Sequence, residues 1–141
     1  MQTNQIKVIL VDDHQLVRQT WRMILEKDPS ITVIAECSSG IEAIDLAAKL
    51  KPDVMLVDVN MSPVNGFETN RKITKLNLGV KIIGVSINNQ PTYARNMMQL
   101  GAKGYVTKNS PKEEMIQAIN EVNNGKTFIC QEVKDKMTPN N

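Results

Sequence analysis

The stretch Lys7-Val-Ile-Leu-Val-Asp-Asp-His14 decides the fold, because a short apolar run ends abruptly in two acidic residues. Further runs of similar length follow at nearly regular intervals: Ile31-Thr-Val-Ile-Ala-Glu-Cys37, Val54-Met-Leu-Val-Asp-Val59, Lys81-Ile-Ile-Gly-Val-Ser86 and Gly104-Tyr-Val-Thr107. Short runs rich in Val and Ile are typical of β-strands. The first, third and fourth are almost continuously apolar, which predicts strands covered on both faces, whereas the alternation of the second suits an edge strand.

Amphipathic stretches between these runs predict helices. One helical face over residues 15–27 carries Leu16, Val17, Thr20, Trp21 and Ile24, and a second stripe comprises Met115, Ile116, Ile119 and Val122. We expect Trp21 to lie in the core. Ser39-Gly-Ile-Glu42 has the pattern of a capping box, and Pro111 is predicted at the first position of the last helix. Five strands alternating with five helices predict an α/β fold with a doubly wound parallel sheet.

Length and composition indicate one globular domain. The chain has 141 residues, of which 41% are hydrophobic and 23% charged. A net charge of +2 and an aromatic content of 4% argue against a protein that binds nucleic acid or a membrane surface. The two cysteines, Cys37 and Cys130, are too few for a disulfide framework or a four-thiolate zinc site. We place the domain at residues 1–125 and interpret residues 126–141 as a short helix or linker tail.

The start of the chain has no apolar segment of signal-peptide length, and no run of 18 apolar residues occurs. These features favour a soluble cytoplasmic protein. Two free thiols are the simplest state of the cysteines in that compartment.

Polar residues terminate the predicted strands. Asp12 and Asp13 follow the first strand, Asp58 ends the third, Ser86 ends the fourth, and Lys108 follows the fifth. Ligands of doubly wound sheets bind beyond the carboxyl ends of the strands, so these side chains are expected on one rim. Neighbouring carboxylates repel one another unless a cation lies among them, and an all-oxygen site favours Mg²⁺ or Ca²⁺. Together with a lysine and a hydroxyl, such a cation would neutralise the oxygens of a phosphoryl group.

The sequence resembles the response-regulator receiver domains of two-component signalling over residues 6 to about 125. The resemblance is carried by Val11-Asp12-Asp13-His14, Val57-Asp58-Val59-Asn60-Met61, Pro63, Asn65-Gly66, Ser86 and Gly104-Tyr105-Val-Thr-Lys108. It implies a flavodoxin-like sheet with five strands in the order 2-1-3-4-5. It also implies that Asp58 accepts a phosphoryl group from a sensor histidine kinase, with Mg²⁺ bound by Asp12, Asp13, Asp58 and the main-chain carbonyl of Asn60.

The same resemblance assigns the remaining site residues. Ser86 and Lys108 would grip the phosphate, and Tyr105 would change rotamer when the surface of helix 4, strand 5 and helix 5 switches. The domain would then be a substrate of the kinase with at most weak autophosphatase activity. A homodimer that forms on phosphorylation is a further expectation.

Several positions depart from the commonest receiver pattern. Pro63 falls one residue late in the loop after Asp58, and the bulky Ile87 follows the switch hydroxyl, where it could slow access of water to the site. Ile87-Asn-Asn and Lys108-Asn-Ser resemble receivers of the LuxR/NarL type, which precede a helix-turn-helix. We therefore expect a stand-alone receiver or one cut from a longer transcription regulator, with DNA contacted only through an output domain that this chain lacks.

Each of these residues also has a simpler interpretation. Asp13 could cap the first helix, and Ser86 could bond its own backbone. Lys108 could be a solvated loop lysine, and Tyr105 could pack with its hydroxyl outward. His14 is expected to be exposed at the entrance of the first helix rather than to act as a ligand.

Two other functions compete with the phosphorylation switch. One is a haloacid-dehalogenase-like aspartyl phosphohydrolase, which typically needs a general acid two residues after its nucleophile, where this chain has Asn60. The other is a pseudo-receiver, a binding module that never takes phosphate. The complete set of acidic, hydroxyl and lysine residues argues against a pseudo-receiver.

Overall fold

A parallel β-sheet forms the centre of the computed structural model, which describes residues 5–61 and 64–137. The strands within that range are β1 (Ile6–Val11), β2 (Ile31–Cys37), β3 (Val54–Asp58), β4 (Lys81–Ser86), β5 (Gly104–Thr107) and β6 (Phe128–Ile129). The helices are α1 (Gln15–Leu25), α2 (Gly40–Leu50), α3 (Gly66–Lys75), α4 (Pro91–Gln99), α5 (Lys112–Asn123) and α6 (Gln131–Lys134). None of the helices described has the length and apolarity needed to cross a membrane.

The sheet order is β2-β1-β3-β4-β5-β6, and all neighbouring strands run parallel. The predicted doubly wound sheet with order 2-1-3-4-5 is therefore confirmed. The difference is β6, in which Phe128 and Ile129 pair with Gly104 and Tyr105 of β5. Two residues are too few to show a strand periodicity, which is why the sequence predicts only five strands.

The first helix is shorter and more exposed on its apolar face than the sequence predicts. It ends at Leu25 instead of residue 27, and Leu25 is its only fully buried residue. Trp21 is half-buried, and Leu16 is 77% exposed, so the expectation that Trp21 belongs to the core is only partly right. On α1 the charged Arg18 turns toward β2 and pairs with Glu36, which leaves the apolar stripe nearer the surface.

Local capping bonds fix where α2 and α3 begin. The Ser39 hydroxyl accepts a bond from the Glu42 N–H at 3.2 Å, as the capping-box pattern predicts. The Asn65 side chain accepts the Glu68 N–H at 2.9 Å. Pro111 is the N-cap of α5 and not its first helical residue, since its ψ of 156° is extended.

The C-terminal segment folds back onto the sheet. Val133 of α6 is buried, and the Glu132 carboxylate accepts bonds from Thr107 Oγ1 at 2.6 Å and Asn89 Nδ2 at 2.7 Å. These contacts attach α6 to the end of β5 and to the loop after β4. The domain boundary at residue 125 stays a prediction, and residues 138–141 of the predicted tail lie outside the described residues.

Candidate functional site

The carboxyl ends of β1 and β3 bring the predicted acidic residues together. Asp12 and Asp58 are both buried, and Asp13 lies beside them at the start of the loop before α1. One possible ligand atom from each of Asp12, Asp13, His14 and Asp58 lies within 4.8 Å of the others. Like charges this close repel, so the cluster favours a cation or partial protonation.

The loop after β3 reaches this site because Gly66 allows a close approach. A Cβ atom at Gly66 would lie 2.5 Å from the Asp58 carbonyl oxygen and 2.5 Å from Val59 Cα. Its main-chain N–H donates to the Val59 carbonyl at 2.9 Å, which closes the loop against the end of β3. Within the loop, the Asn60 N–H donates to Asp58 Oδ1 at 3.1 Å. Pro63, the displaced proline of this loop, lies outside the described residues.

Asp58 is the most deeply buried residue of the cluster. Its side chain is 1% exposed, and among the described residues no hydrogen-bond partner reaches its Oδ2 atom. Burial raises the pKa of Asp58, and the negative charges of Asp12 and Asp13 raise it further, whereas the Asn60 N–H and Lys108 oppose the shift. A carboxylate in this setting is stabilised by any cation or donor that approaches Oδ2.

Lys108 places an ammonium group beside two of these carboxylates. Its Nζ atom lies 3.2 Å from Asp12 Oδ2 and 3.5 Å from Asp58 Oδ2. The Lys108 main-chain N–H donates to the Ser86 carbonyl at 2.9 Å, which holds the loop after β5 against the end of β4. The side chain is 18% exposed and is therefore not the solvated loop lysine of the simpler interpretation.

Ser86 is fully buried, and its hydroxyl donates to Asn60 Oδ1 at 2.9 Å. The Ser86 Oγ atom also accepts a hydrogen bond from the Asn88 N–H at 2.9 Å. The simpler interpretation, a hydroxyl bonded to nearby backbone, therefore describes part of the Ser86 environment. The side chain of Asn60 is a site residue that the sequence reasoning missed, because only its main-chain carbonyl was assigned. An amide two residues after a strand-end aspartate was the signal that could have revealed it.

Tyr105 is also fully buried, and its hydroxyl points inward. The hydroxyl donates to the Asn88 carbonyl at 2.7 Å, and burial raises the pKa of Tyr105 to about 12. Asn88 therefore links Ser86 to Tyr105 through its own N–H and carbonyl. The sequence gives no signal for this link, because it depends on the path of the loop between β4 and α4.

His14 and Ile87 flank the site at the surface. The His14 side chain is 66% exposed, as expected, and its Nδ1 atom lies 3.1 Å from Asp12 Oδ1 and 3.0 Å from Asp13 Oδ1. His14 is itself the N-cap of α1 without a side-chain capping bond, so Asp13 is not the cap. Ile87 is 72% exposed next to Ser86.

The fold and the site together define a flavodoxin-like α/β protein with a buried acidic pocket and a lysine at the carboxyl edge of its sheet. The protein-family model of the response regulator receiver domain matches residues 8–120 of this chain. The chain belongs to this family.

Known relatives agree with that assignment. The chain is 36% identical to the response regulator GacA of Pseudomonas aeruginosa over 132 residues, which is 94% of this chain and 62% of GacA. A two-component response regulator of the LuxR family from Aurantimonas sp. superposes with a TM-score of 0.91 at 28% identity, covering 95% of this chain and 96% of that one. RcsB, in a structure of two dimers bound to two parallel DNAs, matches with a TM-score of 0.86 at 25% identity over 95% of this chain and 68% of that chain.

The chain spans only part of the length of its curated relatives. It covers 62% of GacA and 55% of the transcriptional regulatory protein DegU of Brevibacillus brevis, to which it is 35% identical over 92% of its own length. The similarity therefore concerns the receiver part of these regulators.

Proposed function

We propose that the chain is a phosphorylation switch in which Asp58 accepts a phosphoryl group from a sensor histidine kinase. The observation that carries the proposal is the buried Oδ2 atom of Asp58, which faces Lys108 Nζ at 3.5 Å and has no hydrogen-bond donor among the described residues. An oxygen in that state gains from a new bond or an added cation, because an uncompensated buried charge is costly.

The donor atoms around Asp58 fit Mg²⁺. The carboxylates of Asp12, Asp13 and Asp58 cluster within 4.8 Å, and the main-chain carbonyl of Asn60 would complete an all-oxygen set. The unsatisfied Asp58 Oδ2 and the raised pKa of that carboxyl both favour a cation there. When bound, Mg²⁺ would offset the negative charge of the phosphoryl oxygens.

The chemical step uses the Asp58 carboxylate as the nucleophile. One carboxylate oxygen attacks the phosphorus of a phosphohistidine, a P–O bond forms as the P–N bond breaks, and the imidazole of the kinase leaves. The Lys108 ammonium, already beside both Asp12 and Asp58, moves onto a phosphoryl oxygen. The product is an aspartyl phosphate on this chain.

Switching starts at Ser86. Its hydroxyl exchanges the bond to Asn60 Oδ1 for one to the new phosphate, which is a stronger acceptor because it is charged. Asn88 carries the change to Tyr105, since its N–H is bonded to Ser86 and its carbonyl to the Tyr105 hydroxyl. The surface formed by α4, β5 and α5 then takes up its second arrangement.

The relatives support the remaining parts of the proposal. The DNA-bound RcsB dimers support a homodimer on phosphorylation, with DNA contacted by an output domain and not by this receiver, whose net charge is only +2. We assign the receiver the role of a kinase substrate with at most weak autophosphatase activity, and we expect it to act in the cytoplasm.

Labelling by acetyl phosphate with and without Mg²⁺ tests the proposal. A phosphorylation switch takes up one label that depends on Mg²⁺ and persists. Continuous release of inorganic phosphate would indicate a phosphohydrolase instead, and a complete lack of label would indicate a pseudo-receiver.

A further inference from the structure

Arg18 on α1 reaches the main chain of the acidic loop. Its Nη1 atom donates to the Asp12 carbonyl at 2.6 Å, and its Nε atom donates to Glu36 Oε1 of β2 at 2.8 Å. The side chain is 15% exposed. Because the guanidinium is planar and its donors form a rigid fork, Glu36 on one side fixes the direction of the bond to Asp12 on the other.

The bond from Arg18 to the Asp12 carbonyl is the second of two bonds that hold the backbone of Asp12. The Asp12 N–H donates to the Cys37 carbonyl of β2 at 3.1 Å, and the Asp12 carbonyl accepts from Arg18. That carbonyl belongs to the peptide group joining Asp12 to Asp13, so its direction sets where the backbone of Asp13 begins. The side chain of Asp13 is more exposed than that of Asp12, at 35% against 8%, and depends correspondingly more on its backbone for position.

We infer that Arg18 is a positioning residue for the cation site: through Glu36 and the Asp12 carbonyl it holds Asp12 and Asp13 in a cation-binding arrangement. The inference rests on the proposed function, because it assumes that these carboxylates bind Mg²⁺. The two ways in which Arg18 could act predict opposite changes in Mg²⁺ affinity. The positive charge of Arg18 by itself repels Mg²⁺, so removing that charge strengthens cation binding if Arg18 acts only through its field. Removal weakens binding if Arg18 acts by positioning.

Arg22 provides a matched control on the same helix. Its Nε atom donates to the other carboxylate oxygen of Glu36, Oε2, at 2.8 Å, and its Nη1 atom bonds Glu26. Within the part of the chain that the structure describes, the Arg22 guanidinium bonds carboxylates and not the Asp12 carbonyl. Replacing Arg22 removes one charge and one Glu36 contact but leaves the acidic loop anchored.

The test is the dissociation constant of Mg²⁺ in the wild type and the variants. It is measured by titrating Mg²⁺ while following the fluorescence emission of Trp21, the only tryptophan. The temperature is one at which circular dichroism shows every variant to be folded. We expect Arg18→Ala to raise the constant roughly tenfold, the scale seen when groups supporting metal ligands are removed. Arg22→Ala should change it less than about twofold, as expected for a charge mostly screened by solvent. Arg18→Lys keeps the charge without the fork, so we expect it to raise the constant several-fold.

Tighter or unchanged binding in Arg18→Ala, or wild-type affinity in Arg18→Lys, would overturn the positioning role. Equal weakening by Arg18→Ala and Arg22→Ala would also overturn it, because the effect would then follow the Glu36 pairing alone. A wild-type protein that binds no Mg²⁺ would instead overturn the proposed function on which the inference rests.

Discussion

Asp58 is buried at the end of β3 beside the carboxylates of Asp12 and Asp13. Its pKa is raised by burial and by neighbouring carboxylates, so the folded state holds the Asp58 proton more tightly than the unfolded state does. The contribution of this residue to stability is therefore fully present below the unfolded pKa of 3.8 and is lost as pH rises through the folded value. At neutral pH a buried and poorly paired carboxylate remains.

We expect Asp58→Asn to be more stable than the wild type at pH 7, by about 1–3 kcal/mol, because the neutral amide keeps the volume and removes a buried charge that Asp12 and Asp13 repel. The advantage should shrink as pH falls through the raised folded pKa toward 3.8, the unfolded value, and should be absent below that. Urea unfolding of both proteins across that pH range measures it. Asp45→Asn, on the exposed face of α2, is the control and should move stability little. An Asp58→Asn advantage that stays constant with pH would contradict the assignment of a raised pKa.

Lys108 should matter for phosphate more than for the metal. Its ammonium pairs with Asp12 and Asp58, so Lys108→Ala removes a positive charge that competes with Mg²⁺. We expect Mg²⁺ affinity to be kept or improved while labelling by acetyl phosphate falls at least tenfold, as happens when a charge-stabilising donor is lost. Lys103→Ala, at the opposite end of β5 and exposed, is the matched control. Loss of Mg²⁺ binding together with labelling would show that Lys108 organises the pocket instead.

At the residue scale the sequence predicts which residues form the site better than it predicts the contacts between them. The carboxyl ends of parallel strands lie on one edge, so the convergence of Asp12, Asp58 and Lys108 follows from where the apolar runs stop. The role of the Asn60 side chain was signalled only by an amide two residues after Asp58, and the role of the Asn88 main chain by nothing in the sequence. Their roles depend on loop paths and rotamers, which leave no periodic trace in the sequence.

Among the elements, β4 and β5 are coupled by the chain of bonds from Ser86 through Asn88 to Tyr105. We expect Ser86→Ala to accept phosphate at Asp58 but to lose the response of α4 and β5. A charge-assisted hydrogen bond is worth about 1.5–3 kcal/mol, enough to shift a two-state population by roughly tenfold or more. Amide spectra with and without beryllofluoride measure the response.

In the wild type the beryllofluoride shifts should extend from Asp58 to Tyr105, and in Ser86→Ala they should stay near the acidic cluster. Ser110→Ala removes a hydroxyl that bonds Thr107 at the same edge of the sheet, and it should respond like the wild type. Shifts of equal extent in Ser86→Ala and the wild type would exclude a relay through this hydroxyl.

The apolar stripes of α5 and α1 show when helical periodicity predicts burial and when it does not. Three residues of the predicted α5 stripe, Met115, Ile119 and Val122, are buried because α5 packs on the sheet, and Ile116 is half-buried. The predicted stripe of α1 instead lines a surface groove of about 330 Å³ with Lys108, Ser110 and Lys112. An apolar stripe predicts burial only if no polar residue competes for the inner face, and on α1 Arg18 does so.

For the molecule as a whole, the doubly wound parallel sheet could be predicted because each βαβ unit is recognisable by itself, whereas the strand order 2-1-3-4-5 was implied by the resemblance to receiver domains. Apolar strands alternating with amphipathic helices leave a parallel sheet covered on both faces as the natural solution. The attachment of residues 128–134 could not be predicted, because it rests on a two-residue strand and on the bonds of Glu132 to Thr107 and Asn89. Those bonds place part of the C-terminal segment beside the loop that bears Asn88.

The central claim is that Asp58 carries the phosphoryl group, and mapping the label tests it most directly. Wild type and Asp58→Asn are incubated with acetyl phosphate and Mg²⁺, and the intact mass of each is measured by mass spectrometry. The labelled residue is then located by peptide mapping after borohydride reduction of the acyl phosphate. We expect one phosphoryl group on the wild type, located at Asp58, and none on folded Asp58→Asn. A label on Asp12, Asp13 or His14, or wild-type labelling of Asp58→Asn, would contradict the account.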